Sequence, residues 1–160
     1  MGYAMSIVSN VSPLAPKNFP VMHSISGVRF ATANAGIKSG DSEDATLILL
    51  EPETVIAGLF TSSMTRSAPV IDCQNKIGIN VANTGAAIII NSGNANAFTG
   101  RHGEWAVREI IAELSTRVQI PVERIFSSST GVIGELLEYQ KIINVFDYLV
   151  DSLHLSLIHI

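Results

Sequence analysis

The chain has 160 residues, 47% of them hydrophobic and only 15% charged, which excludes a disordered polymer and is enough for one domain with a buried core. A formal net charge of -4 offers nothing to a nucleic acid or an anionic membrane, so neither is expected as a partner. The lone Cys73 excludes an internal disulfide framework and any multi-cysteine metal site, which fits a reducing cytoplasm, and no window approaches the roughly 18 to 20 consecutive apolar residues that span a bilayer.

Residues 1–25 read as an extended lead-in, broken by Pro13, Pro16 and Pro20 and lacking the basic and apolar regions of a secretory signal. Gly27 to Ala33 alternates apolar and polar positions as a half-buried strand, and Gly36 to Asp41 supplies a turn. Thr46 to Leu50 and Val55 to Phe60 are two further β-rich runs, separated at Pro52. Ala68 to Cys73 fits a helix or an edge strand. The continuous apolar run Ala86 to Ile90 predicts a strand covered on both faces, ending where a Gly- and Asn-rich loop begins at Asn91. Trp105 to Leu114 has helical spacing between Gly103 and Pro121. Val122 to Phe126 returns to the sheet, and Tyr139 to Leu153 predicts one amphipathic helix. The class implied is α/β, a mixed β-sheet layered with α-helices.

Two segments carry chemical promise. Asn91-Ser92-Gly93-Asn94-Ala95-Asn96 is either a tight loop whose amides tie down its own backbone or part of a site. Thr130-Gly131, in Ser128 to Glu135, brings a hydroxyl and an unshielded backbone N–H to one place, where they can serve as an ordinary turn or stabilise an acyl oxygen. Neither segment has the P-loop lysine or the G-x-G-x-x-G spacing, which argues against a nucleotide. His23, His102, His154 and His159 have no partners at ligand spacing, so no metal is expected. Cys73 reads as a packed thiol and Trp105 as a helix-packing residue. On residues alone, an acyl- or amide-processing enzyme and a noncatalytic binding subunit both remain open.

The ordered set GVRFATANAGIKSG (Gly27 to Gly40), AGLFTSSMTRSAPV (Ala57 to Val70), AAIIINSGNANAFTG (Ala86 to Gly100) and SSTGVIGE (Ser128 to Glu135) resembles the N-terminal part of the α chain of the bifunctional ornithine acetyltransferase/glutamate N-acetyltransferase family, the ArgJ family. The likeness runs over roughly residues 12 to 152. It implies a truncated ArgJ/DmpA-like sandwich, with residues 26–154 as a partial α-chain domain and 155–160 as a tail unlike the family. It also implies a cytoplasmic, multifunctional acyltransferase of arginine biosynthesis, which moves an acetyl group from N-acetylornithine to glutamate through an acetyl-threonine intermediate. Some members accept acetyl-CoA as a substrate, and no cofactor is expected.

The family's precursor cuts itself into α and β chains, assembled as two of each, and the first threonine of the β chain is the nucleophile. The family's oxyanion-hole pair falls on Thr130 and Gly131. Ile160 precedes the family's threonine-rich substrate segment and its Ala-Thr junction. No residue of this chain therefore matches the nucleophile or the substrate-binding positions, and the chain alone is expected to be inactive. The runners-up are a fragment of a related self-cleaving N-terminal-nucleophile aminopeptidase or amidase, and a noncatalytic binding subunit.

Overall fold

Among the described residues, four strands form one mixed sheet in the order β1-β2-β3-β4: β1 (Val28–Ala33), β2 (Ala45–Leu50), β3 (Ala86–Asn94) and β4 (Ile125–Val132). The first three are antiparallel neighbours, and β3 and β4 run parallel. The computed structural model describes Leu14, residues 23–79 and residues 81–155. Most of the predicted lead-in, most of the tail, and His159 lie outside these residues.

A parallel pair needs a crossover, and α2 (Gly100–Val118) supplies it between β3 and β4. Its buried positions Gly103, Ala106, Val107, Ile110, Ile111 and Leu114 fall on one stripe at helical spacing. That stripe joins Ala31, Leu47, Ala87, Ile89 and Ile125 of the sheet in one core. Along β3, Ala87, Ile89 and Asn91 are buried while Ile88, Ile90 and Ser92 are partly exposed. One face is thus fully covered and the other only in part, where the apolar run predicted cover on both.

The ambiguous segment after Ser67 is a helix, α1 (Ala68–Lys76), with Pro69 in its first turn, where a missing N–H is no loss. It lies along the open edge of β4, where Lys76 Nζ donates to Ile125 O at 3.2 Å and pairs with Asp72 at 2.8 Å. The predicted strand Val55–Phe60 is absent. Val55 and Leu59 are 90% and 102% exposed, because these residues find no neighbouring strand to pair with and β-propensity alone does not hold them extended in a ladder. Their approach is fixed instead by Arg124, buried at the end of a 3-10 turn (Val122–Arg124) that replaces the predicted start of the fourth strand. Its Nε donates to Gly85 O at 3.2 Å and its Nη2 to Thr54 O at 2.7 Å.

The predicted helix over Tyr139–Leu153 is two: α3 (Tyr139–Asn144) and α4 (Phe146–Asp151), broken at Val145. Asn144 and Val145 are weak helix formers, and the Val145 N–H bonds to Ile142 O at 3.3 Å. The apolar period survives the break, since Ile142, Phe146 and Leu149 are all within 1% of full burial. Arg117 ties α2 to α4 through Asp147 at 2.8 Å and lies over the Phe146 ring at 5.6 Å; its bonds to Glu113 and then Asp147 raise its pKa. After α4 the chain returns to the outer edge of β1, exchanging two backbone bonds between Phe30 and His154.

The β1-β2 connection is organised by one buried carboxylate. Asp44 Oδ1 accepts from Ala35 N at 2.7 Å, and Oδ2 accepts from Ile37 N at 2.6 Å and Lys38 N at 2.8 Å. Three N–H donors stabilise the charge of a side chain that is only 3% exposed. Asp44→Ala leaves these amides unpaired and is expected to cost about 2 to 4 kcal/mol. Urea denaturation of the wild-type and variant chains measures this, and an unchanged midpoint contradicts the carboxylate's role.

Candidate active site

The two motifs that read as separate loops are strand ends lying side by side. β3 continues through Asn91-Ser92-Gly93-Asn94 and β4 through Ser127-Ser128-Ser129-Thr130-Gly131-Val132, pairing Asn91 with Ser129, Ser92 with Thr130, Gly93 with Gly131 and Asn94 with Val132. Polar composition suggested that the strands stop at Ile90 and Phe126. Pairing between the two polar runs carries them further, and Ala95 N adds a bond to Val132 O at 2.8 Å beyond the ladder.

Glycine is required where the strands meet. Gly131 has φ +132°, and a Cβ there would stand 2.3 Å from the carbonyl carbon of Gly93 and 2.6 Å from Asn94 N, so both the conformation and the space exclude a side chain. Gly93, at φ +101°, is closed from the other side by the loop that Asp44 holds, since a Cβ would meet Ile37 Cγ2 and Lys38 Cγ at 2.9 Å.

This packing determines where the donors point. Backbone groups of one parity along a strand face the same neighbour. Val132 O accepts from Ala95 on the β3 side, whereas Ile125 O and Ser127 O accept from Lys76 and Cys73 of α1, beyond the open edge. Gly131 shares the parity of Ile125 and Ser127, so its N–H is directed away from β3, off the edge of the sheet. The preceding Thr130 is exposed, and its hydroxyl has no hydrogen-bond partner among the described residues. A hydroxyl and a backbone N–H from consecutive residues are thus available at one corner of the sheet, the arrangement an acyl oxygen needs if it is to accept from both. Val132, Ile133 and Leu136 nearby are each about half exposed or more.

The asparagines hold this corner. Asn91 Oδ1 accepts from Ser129 Oγ at 2.6 Å, and its Nδ2 donates to Asn94 O at 2.9 Å. Asn94 Nδ2 donates to Glu135 O at 3.1 Å, and its Oδ1 accepts from Asn96 N at 2.7 Å. Asn96, fully buried, anchors the start of α2 by donating to Gly103 O at 3.0 Å and accepting from Thr99 Oγ1 at 2.8 Å. A Cβ at Gly103 would stand 2.0 Å from Thr99 Oγ1, so glycine is required at this position of the first turn of the helix. Sequence reasoning missed Asp44 and Arg124 because their partners are backbone atoms, which leave no mark on residue type.

The other candidates lie elsewhere. Cys73 faces β4, donating to Ser127 O at 3.3 Å, and burial pushes its thiol above the ordinary range, with Asp72 adding to the shift. Trp105 is 52% exposed and donates to Tyr139 OH at 3.4 Å, so it packs at the rim between α2 and α3. No cluster of three His, Cys, Asp or Glu that would hold a metal occurs among the described residues, and no helix there is long and apolar enough to cross a membrane. Surface clefts of about 440, 490 and 270 Å³ lie between α1 and α2, beneath the segment 53–56, and beside Phe98; none of the three is lined by Thr130 or Gly131.

The ArgJ family model matches residues 29–159. The arginine biosynthesis bifunctional protein ArgJ of Ruegeria pomeroyi is 48% identical over 87% of this chain, which covers 34% of that protein. Among solved structures, an ornithine acetyltransferase of Mycobacterium tuberculosis complexed with ornithine superposes with a TM-score of 0.76 at 28% identity, over 83% of this chain and 70% of that one. The arginine biosynthesis bifunctional protein ArgJ of Bacillus halodurans gives 0.73, also at 28%, over 82% of this chain and 66% of that one. The chain spans about a third of the length of the curated relatives it matches.

Two outcomes are expected from this geometry. Gly131→Ala, with the Gly93 backbone in its way, should lower stability by about 3 kcal/mol, whereas Gly134→Ala, where φ is +87° but the space is open, should cost about 1 kcal/mol. Equal shifts in urea midpoint contradict the close contact. Cys73 is held protonated by burial, so its alkylation by iodoacetamide at pH 7.5 should run at least about tenfold slower in the folded chain than in urea, and equal rates contradict a packed thiol.

Proposed function

This chain belongs to the ArgJ family, and from that premise we propose that it forms the N-terminal part of an acetyltransferase that moves an acetyl group from N-acetylornithine to glutamate, with Thr130 and Gly131 as its oxyanion hole. In the first half-reaction a threonine hydroxyl attacks the acetyl carbonyl of N-acetylornithine. The C–N bond breaks, the nitrogen takes up a proton, and ornithine departs, leaving an acetyl ester on the threonine. In the second, the amine of glutamate attacks that ester, the C–O bond breaks, and N-acetylglutamate leaves with the threonine hydroxyl restored. The nucleophile belongs to the part of the family's length that this chain does not span. Acetyl-CoA, as a donor, would be attacked by the same threonine hydroxyl, its C–S bond breaking and the thiol of CoA leaving with a proton, and an assembly of two α and two β chains would complete the site.

Both half-reactions pass through a tetrahedral carbon bearing a negative oxygen, and that charge needs donors already in place. The observation that carries the reading is an exposed Thr130 hydroxyl without a hydrogen-bond partner among the described residues, next to Gly131, whose strand parity turns its N–H away from β3 and whose contact with Gly93 only glycine permits. The apolar side chains around the pair suit a site that a covering segment would dry, strengthening each donor.

The test grafts this chain in place of the matching segment of the Ruegeria pomeroyi relative and assays acetyl transfer from N-acetylornithine to glutamate. The chimera is expected to be active, and Thr130→Ala to lower kcat by about 100-fold to 1000-fold, the usual loss for one oxyanion donor. Full turnover in the variant contradicts the assignment.

A further inference from the structure

We propose that Asn91, with its partner Ser129, and Asn94 are positioning residues that aim the Thr130-Gly131 donor pair, an inference that rests on the acyl-transfer reading above. The donor pair lies in a short segment that the backbone already holds at two points, through Ala95 N to Val132 O at 2.8 Å and Gly134 N to Ala97 O at 2.9 Å. Gly131 and Gly134 both have positive φ, and residues 130–136 are all exposed, so few side-chain contacts add to those two bonds. Two buried amides of β3 hold this segment at its ends. Asn91, 3% exposed, grips Ser129 Oγ at 2.6 Å immediately before Thr130. Asn94, 7% exposed, grips Glu135 O at 3.1 Å immediately after Gly134.

The two grips are joined to each other, because Asn91 Nδ2 donates to Asn94 O at 2.9 Å, so neither end shifts alone. Each site also needs a group that donates and accepts at once. Asn91 accepts from Ser129 while donating to Asn94 O, and Asn94 accepts from Asn96 N while donating to Glu135 O. A carboxylate of the same shape accepts only. Oxyanion donors work within a few tenths of an ångström, and a misplacement near 1 Å costs about 100-fold, so the clamp acts on turnover without touching substrate.

Ser129→Ala and Asn94→Asp each remove one grip with little change of volume. In the chimera described above, each is expected to lower kcat about tenfold to 100-fold while KM for N-acetylornithine stays within about threefold. Combined with Thr130→Ala, each should add less than its effect alone, since one of the two donors that the clamp aims is already gone. Unchanged kcat in an active parent, or losses that multiply with Thr130→Ala, overturns the proposal and leaves the acyl-transfer reading intact.

An independent measurement needs no activity. Hydrogen exchange on the chain itself should show the Gly134 amide, bonded to Ala97 O at 2.9 Å, opening at least about tenfold faster in Ser129→Ala and Asn94→Asp, with β1 and β2 unchanged. Equal exchange rates overturn the clamp even if the chimera proves inactive, and faster exchange in an inactive chimera keeps the clamp as a structural device while removing its catalytic purpose.

Discussion

The approach of Gly131 to Gly93 is the contact on which the rest depends. With no Cβ on either residue, two parallel strands come close enough that a single added carbon at Gly131 would sit 2.3 Å from its neighbour's backbone. Two features accompany this contact. The ladder runs past the apolar stretch into polar residues, and the edge strand takes a positive φ at Gly131. The loop over Gly93 belongs to the same construction, since the carboxylate of Asp44 draws three amides into a lid that fills the space on the far side. Rigidity at this corner therefore comes from elements far apart in the sequence, which suits a place where donors must be aimed before a charge appears.

The candidate site lies on a sheet edge rather than in a cavity. Helix α1 occupies the lower part of the free side of β4 through Lys76 and Cys73, but it leaves the upper part, from Ser128 to Val132, open. At that corner Val132, Ile133 and Leu136 are each about half exposed or more.

Much of the architecture was legible from residue pattern. Alternation marked β1, a β-rich run marked β2, the apolar stripe from Ala106 to Leu114 marked α2, and four ordered motifs pointed to the family that the comparisons show. The failures have physical causes. Asn91 to Asn94 and Ser127 to Val132 looked like loops because sequence pattern equates polarity with solvent, whereas here polar residues pair with polar residues across a ladder. Val55 to Phe60 had the composition of a strand without a neighbour to bond to. The break at Val145 left the apolar period of Ile142, Phe146 and Leu149 intact, so periodicity could not reveal it. At the candidate site, residue type drew attention to Thr130, Gly131 and the asparagines. The partnership of Asn91 with Ser129 needed three dimensions, as 38 residues separate them.

Arg124 spends its buried guanidinium on the main-chain oxygens of Gly85 and Thr54 and on no acidic side chain. Main-chain oxygens are present whatever the residue, so the stretch around Thr54 can drift in side-chain identity without loosening its tether. An insertion or deletion there has no such freedom, because it moves the oxygen itself out of reach. Among relatives this surface segment should therefore vary in spelling while keeping its length.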